Sequence, residues 1–345
     1  MHIPIAFGNN NPLDSSSQVR VLAGDIGGTK TNLALFEFSS GKFSILKEIR
    51  LTTKDFSDLG KMIASFLTED EKPDVMSFGI AGPVTENRVK LTNVSWDIDG
   101  AALSKQYNGI PVYLINDLEA TAYGLALLKT AELFPIYKSG KEARGNLALI
   151  APGTGLGEAG VYDDGVTYHP FGTEGGHSDF APRTVLDYEL NLHLNKQFGH
   201  VSWERVVSGN GIVSIFDFLA NEKSRDVPAN LKAALTMDDQ PKVITENIEN
   251  YSICRETIEL FLRYLATEAG NLALKMKATG GVFIGGGIIP KILEHVDKEQ
   301  FMRYFRDFGR MTELMADISV NVILNEKTAL LGAAYFGAGK DTGKS

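Results

Sequence analysis

At 345 residues the chain is long for one core and suits two domains of ordinary size, and its 43% apolar and 22% charged content describes a globular protein. A net charge of −9 argues against a nucleic-acid or anionic-membrane surface, and no apolar run is long enough to span a bilayer. The single cysteine, Cys254, excludes an internal disulfide or a multi-cysteine metal site, and makes a reducing cytoplasm the simplest compartment.

Residues 1–18 have no basic start and only a short apolar piece, IPIAF, before the polar run NNNPLDSSS, so they read as a flexible tail. The stretch that organises the rest follows: an apolar strand from Val19, a turn Asp25-Ile26-Gly27-Gly28-Thr29-Lys30, and a second strand to Phe38. Adjacent glycines permit a path on which several N–H groups face one anion, with Thr29 and Lys30 beside them. The Asp25 carboxylate would repel bare phosphate, so a divalent cation between them, Mg2+ reached through water, accounts for its place there. The same residues also make a plain hairpin turn needing φ > 0, and this segment alone leaves both readings open.

A third strand is expected over Lys42 to Leu51, a helix over Phe56 to Thr68, and a strand over Val75 to Ile80 ending in the break AGPV. Tyr113-Leu114-Ile115 is a short buried-type strand running into Asn116-Asp117 and a helix predicted from Leu118 to Phe134; Lys138 to Gly145 has the composition of a linker. The opening pattern then returns: a strand from Asn146 to Ala151, a glycine turn Pro152 to Gly157, a strand Ala159 to Tyr162, and a turn at Asp163-Asp164-Gly165. Two similar halves serving one nucleotide would explain both copies. Beyond Arg183 the pattern is mainly helical, with Ile258, Phe261, Leu262, Leu265, Ala269 and Leu272 at helical spacing. Val282-Phe283-Ile284 and Val320 to Leu324 read as strands, Gly285-Gly286-Gly287 as a turn, and Ala329 to Gly337 as a final helix.

Three motif matches fail on context. Gly155-x-Gly157-x-x-Gly160 is followed by a strand pattern where a dinucleotide fold needs a helix. The tail GAGKDTGKS has the wrong glycine spacing for a phosphate loop, and Gly175-Gly176 disfavours the helix that a Glu174-x-x-His177 metal pair requires. Asn116 and Asp117 read as a helix N-cap or, at a strand's C-terminal end, as a site carrying a general base. Glu174 and His177 share a glycine-rich loop whose acceptors and donors suit a polyol. Glu204, in Trp203-Glu204-Arg205, reads equally as a surface ion-pair residue.

Taken in order, GDIGGT (Gly24–Thr29), AGPV with LTNVSW, IND (Ile115–Asp117), GTGLG (Gly153–Gly157), EGGH (Glu174–His177), WERVVSG from Trp203 and GGVFIGGGI from Gly280 resemble the bacterial-type ATP-dependent glucokinases from Val19 to Gly337. The resemblance implies an actin-like, ribonuclease H-like two-domain α/β fold with duplicated βββαβα cores and an interdomain cleft. The small domain would hold 19–127 and 325–345 and the large one 128–324. By position, Gly24, Asp25, Ile26, Gly27, Gly28 and Thr29 would hold phosphate, Gly153, Thr154 and Gly155 the opposing phosphate loop, and Gly285, Gly286 and Gly287 the adenosine. Asp117 would be the catalytic base, and Asn116, Asp117, Glu174, His177 and Glu204 would bind glucose. A cysteine cluster follows the EGGH segment in zinc-containing relatives, and its absence here implies the zinc-free group. The implied reaction moves the γ-phosphoryl group of Mg-ATP to glucose. A kinase of another hexose or amino sugar stays open, as do a non-catalytic actin-like filament or sugar sensor, and a homodimer.

Overall fold

The computed structural model describes residue 3 and residues 18–91, 94–141 and 143–342; the expected tail thus lies almost wholly outside the described residues. In the N-terminal half, β1 (Val19–Ile26), β2 (Lys30–Ser39) and β3 (Lys42–Thr52) form an antiparallel meander. Helix α1 (Leu59–Phe66) crosses to β4 (Val75–Ile80), parallel to β1. A small hairpin, β5 (Arg88–Lys90) with β6 (Asp97–Asp99), and α2 (Gly100–Gln106) lead to β7 (Val112–Asn116), parallel to β4, and to α3 (Asp117–Gly124). The sheet order is β3-β2-β1-β4-β7.

The alternation of β1 places its side chains on two faces. Leu22 and Ile26 pack with Phe78 and with Met62 and Ile63 of α1, whereas Val21 and Ala23 pack with Leu330 and Ala333 of the C-terminal helix. Helix α1 starts three residues later than its apolar pattern suggests, because the Asp58 carboxylate accepts from Lys61 N at 2.8 Å and sets the N-terminus there.

The second half contains β8 (Leu133–Tyr137), β9 (Leu147–Pro152), β10 (Leu156–Asp163), β11 (Tyr168–Thr173) and helices α4 (Val185–Phe198), α5 (Gly209–Asn221), α6 (Ala229–Met237), α7 (Gln240–Glu246) and α8 (Ser252–Met276). Strand β12 (Gly281–Ile284), α9 (Lys298–Arg306), α10 (Thr312–Ala316), β13 (Val320–Ile323) and α11 (Thr328–Thr342) complete it. Its sheet order is β11-β10-β9-β12-β13-β8. Apart from β8, each sheet runs third, second, first, fourth, fifth in the chain order of its own half, so the repeated glycine turns belong to a duplicated topology. The strand pattern after Gly157 is real, since β10 occupies the place a dinucleotide-binding helix would need. Residues Ala338 to Lys340 of the would-be phosphate loop lie inside α11.

The helix expected from Leu118 to Phe134 is a correction. Helix α3 ends at Gly124, 3-10 turns follow at Leu125–Leu127 and Thr130–Glu132, and the chain then enters β8. Pro135 has no N–H for a helix and disfavours helical backbone at Phe134, while β8 finds its neighbour in β13, nearly two hundred residues away.

The chain divides into two compact units, Met1–Leu133 with Ala159–Gly172 and Asn325–Ser345, and Phe134–Glu158 with Thr173–Leu324. In the first, α11 packs on β1, β4 and α3. A side-chain carbon on Gly332 would overlap Ala120 O, and one on Gly124 would overlap Thr328 O, so the two helices touch backbone to backbone. In the second, α8 is the central helix: Ile258, Phe261, Leu265, Ala269 and Leu272 are buried, and it packs on α5 and α9.

Candidate active site

In the first unit the C-terminal ends of β1, β4 and β7 lie on one edge, because these strands are parallel and in register: Ile26 pairs with Ile80, and Ile80 with Asn116. Two strand spacings therefore separate the β1 end from Asn116, about 10 Å. The β1–β2 turn is closed by Gly27 N donating to Lys30 O at 3.1 Å, and Thr53 Oγ1 ties Gly27 O at 2.7 Å. Neither Gly27 nor Gly28 adopts positive φ, so the left-handed hairpin turn is not what these glycines serve. Gly24 lies inside β1, where a Cβ would come 2.7 Å from the Phe78 ring, so close sheet packing accounts for that glycine. Burial pushes the Asp25 carboxyl above its usual range, opposed by Asn32 Nδ2 at 3.3 Å and by Arg50.

Asn116 is the N-cap of α3: its Oδ1 accepts from Leu118 N at 2.9 Å and Glu119 N at 3.3 Å. Its Nδ2 donates to Gly82 O at 3.2 Å, which is the structural role of the AGPV break. One amide N–H remains for a ligand. Asp117 sits half-buried at the first position of the helix, and its Oδ1 accepts from Leu118 N at 2.9 Å. Gly79 lets α3 begin this close to the sheet, since a Cβ there would lie 2.7 Å from that of Ala120.

In the second unit the turn Gly153-Thr154-Gly155 joins β9 to β10. Gly153 N donates to Gly155 O at 2.8 Å, and Gly209 N, at the start of α5, donates to Gly153 O at 2.8 Å. Leu156 N donates to Glu204 Oε2 at 3.0 Å, so Glu204 is held against the turn and is not a plain surface residue. The loop with Glu174 and His177 forms a single 3-10 turn, Gly175–His177. Trp203 N donates to Ser178 O at 3.0 Å, and a Cβ on Gly176 would overlap Leu156 O. These contacts bring Glu174, His177, Glu204 and the second glycine turn together on one side of this unit. The Glu174 and His177 side chains are each 60% exposed, with 3.9 Å between Oε2 and Nε2.

Beside this cluster is a cavity of about 970 Å³, lined by Gly153, Thr154, Gly209 and Asn210 at one part and by Ile212, Ile248, Gly287, Ile288 and Lys291 elsewhere. That volume suits a nucleotide-sized ligand. Two of its glycines are not needed by the fold: a Cβ on Gly153 or Gly287 would meet no protein atom within 4 Å. Gly286 differs, since its φ of +81° and the proximity of Pro152 O both demand glycine. Asn210, Lys242 and Lys291 also line the cavity and were not anticipated from sequence. The one available signal was Pro241 in the first turn of α7, which marks a helix start but not what it faces.

The comparisons with known proteins converge on one family. A family model described as glucokinase matches residues 22–340. A glucokinase of a Nostoc species is 37% identical over 337 residues, covering 92% of this chain and 98% of the relative. The glucokinase of Shigella dysenteriae is 34% identical over 316 residues, covering 90% and 95%. The crystal structure of a glucokinase from an Antarctic psychrotroph superposes with a TM-score of 0.76 at 29% identity, covering 92% of this chain and 98% of the other. A ROK family glucokinase from Streptomyces griseus, solved with glucose and AMPPNP, shares the fold at a TM-score of 0.63 and 20% identity, with coverage of 92% and 99%. The duplicated α/β core is that of the actin-like ATPases, and by the extent of these matches the chain belongs to the glucokinase family.

Proposed function

We propose that this protein transfers the γ-phosphoryl group of Mg-ATP to the 6-hydroxyl of glucose, giving glucose 6-phosphate and ADP. The observation that carries the nucleotide half is the pair of glycines, Gly153 and Gly287, which line the cavity and leave open space where a Cβ would meet no protein atom. Phosphate oxygens would take the Thr154 hydroxyl and the N-terminus of α5, with the adenosine towards Gly285, Gly286 and Gly287. Gly153→Ala and Gly287→Ala should therefore leave the melting temperature unchanged and raise the KM for ATP about tenfold or more, as expected when a methyl displaces a ligand by a bond length. An unchanged KM for ATP in both would remove this assignment.

On the first unit, Gly27, Gly28 and Thr29 would bind phosphate, and Asp25 would hold Mg2+ through water. The fit is chemical: Asp25 is a hard oxygen ligand at the turn whose burial is incompletely offset by Asn32 and Arg50. Among the described residues no group of three or more His, Cys, Asp and Glu side chains is placed to hold a metal, so phosphate and water oxygens would complete the shell. When bound, Mg2+ supplies positive charge to the phosphates. Asp117 takes the proton of the attacking hydroxyl. A carboxylate is a weak base, which suffices because the hydroxyl loses its proton late in a loose transition state.

Asn116 donates its remaining amide N–H to a sugar hydroxyl, and Glu174, His177 and the other oxygen of Glu204 complete the sugar contacts. Glu174→Ala should raise the KM for glucose roughly 10- to 100-fold, the usual cost of a hydrogen bond to a charged group, and His177→Ala somewhat less. A rise confined to the KM for ATP would contradict this placement. A panel of hexoses and amino sugars in an ADP-release assay tests the choice of glucose. No helix among the described residues is long and apolar enough to cross a membrane. We place the reaction in the cytoplasm, and a homodimer is its proposed assembly, to be read by light scattering.

A further inference from the structure

Beneath the Glu174–His177 loop lies a pair of carboxyl groups that the reaction scheme does not use. Glu158, on β10, is 1% exposed, and Glu268, on α8, is fully buried. Glu268 Oε2 accepts from Asn271 Nδ2 at 2.7 Å and Oε1 from Lys275 Nζ at 3.3 Å. Neither carboxyl oxygen of Glu158 meets a donor of its own among the described residues; what faces it is Glu268. The same oxygens abut the loop: a Cβ on Gly175 would overlap Glu158 Oε2. The loop is also tied to the Glu158 backbone, because Thr173 Oγ1 donates to Glu158 O at 2.9 Å and Gly175 N donates to Thr173 Oγ1 at 3.2 Å.

We propose that the Glu158 side chain, braced on Glu268, is the floor that sets the position of Gly175 and thereby of Glu174 and His177 at the sugar. This makes Glu158 a positioning residue, and it rests on the sugar assignment of that loop made above. Two buried carboxyls with one ammonium beside them are stable only while they share a proton, which Glu158 donates to the Glu268 carboxylate. Burial first, and then Glu268, push the Glu158 carboxyl up to about 8, opposed by Lys275. The charged groups facing it among the described residues are Glu268 and Lys275, both from α8; the loop above contributes Thr173 and the backbone of Gly175. Loss of the shared proton leaves two carboxylates repelling each other directly under Gly175, and the loop shifts.

The test is the KM for glucose against pH. In the wild type it should rise about tenfold per unit above about pH 8, with the KM for ATP flat over that range. Glu158→Gln keeps the shape and the donor to Glu268 but cannot lose a proton. It should bind glucose within about twofold of wild type at neutral pH and lack the alkaline rise. Glu158→Ala removes the floor and should raise the KM for glucose about tenfold at every pH, with the KM for ATP unchanged. An alkaline rise in Glu158→Gln equal to that of wild type would overturn the proposal.

Unfolding of the ligand-free enzyme reads the pair without any sugar. A carboxyl raised in the folded state favours that state below its unfolded value of 4.5, and the contribution is lost as pH rises to about 8. Wild-type melting temperature should therefore fall across that window relative to Glu158→Gln, and parallel curves would also overturn the proposal. If the unfolding difference is present but His177→Ala leaves the KM for glucose unchanged, the sugar assignment of the loop is what has failed, and the positioning role falls with it.

Discussion

Asp117→Asn should lower kcat about a hundred- to ten-thousandfold while the KM for glucose changes little. The amide retains the shape of the carboxylate and can still accept from Leu118 N with its oxygen, so the start of α3 and the proposed sugar contact of Asn116 should survive. What it loses is a group able to take the proton of the attacking hydroxyl. The neighbouring N-cap is untouched, since the Asn116 oxygen already satisfies Leu118 N and Glu119 N. A control variant, Asn116→Ala, should do the reverse. It removes the cap and the Gly82 tether, costing about 1 kcal/mol of stability, and it raises the KM for glucose. Near-normal turnover by Asp117→Asn would show that another group takes the proton.

Gly332→Val should lower the melting temperature by roughly 4–8 °C. The added side chain enters the space where α11 crosses α3, and its first carbon alone would overlap Ala120 O, a backbone atom that no side-chain rotation can move aside. Overpacking costs about 3 kcal/mol, offset by less than 1 kcal/mol from removing a mid-helix glycine, which leaves a net loss of about 2 kcal/mol. Because α11 also covers β1 and β4, pushing it off α3 disturbs the helix that begins at Asp117. A parallel fall in kcat at temperatures below unfolding is therefore expected. An unchanged melting temperature would show that the two helices can separate at no cost.

Much of the strand framework was legible because its periodicities are local. Val75 to Ile80 is a mostly apolar run with Ser77 within it, following Asp74 and preceding the Ala81-Gly82 break, and it forms β4 over those same residues. The meander from Val19 to Thr52 follows from alternation and from the glycine-bearing turn at Ser39 to Lys42, where Ser40 and Gly41 both take positive φ. Helix α3 was overextended because Leu125 to Phe134 is apolar in a way that suits helix or strand, and only pairing with the sheet selects β8. Pro135 was the local clue to that choice.

What the sequence determined by itself was the composition of each recognition element: two glycine turns, an Asn-Asp pair after a strand, and a carboxylate and an imidazole on one glycine-rich loop. Each is a few consecutive residues, and consecutive residues stay together in any fold. The tertiary structure decided which glycines the fold requires, as at Gly332 and Gly286, and which leave room for a ligand, as at Gly153 and Gly287. It also decided that Glu204 turns towards Gly155 and that Glu158 and Glu268, 110 residues apart in the chain, come to share one buried site. Contacts of that range depend on how strands and helices stack, and no stretch of local sequence carries the stacking.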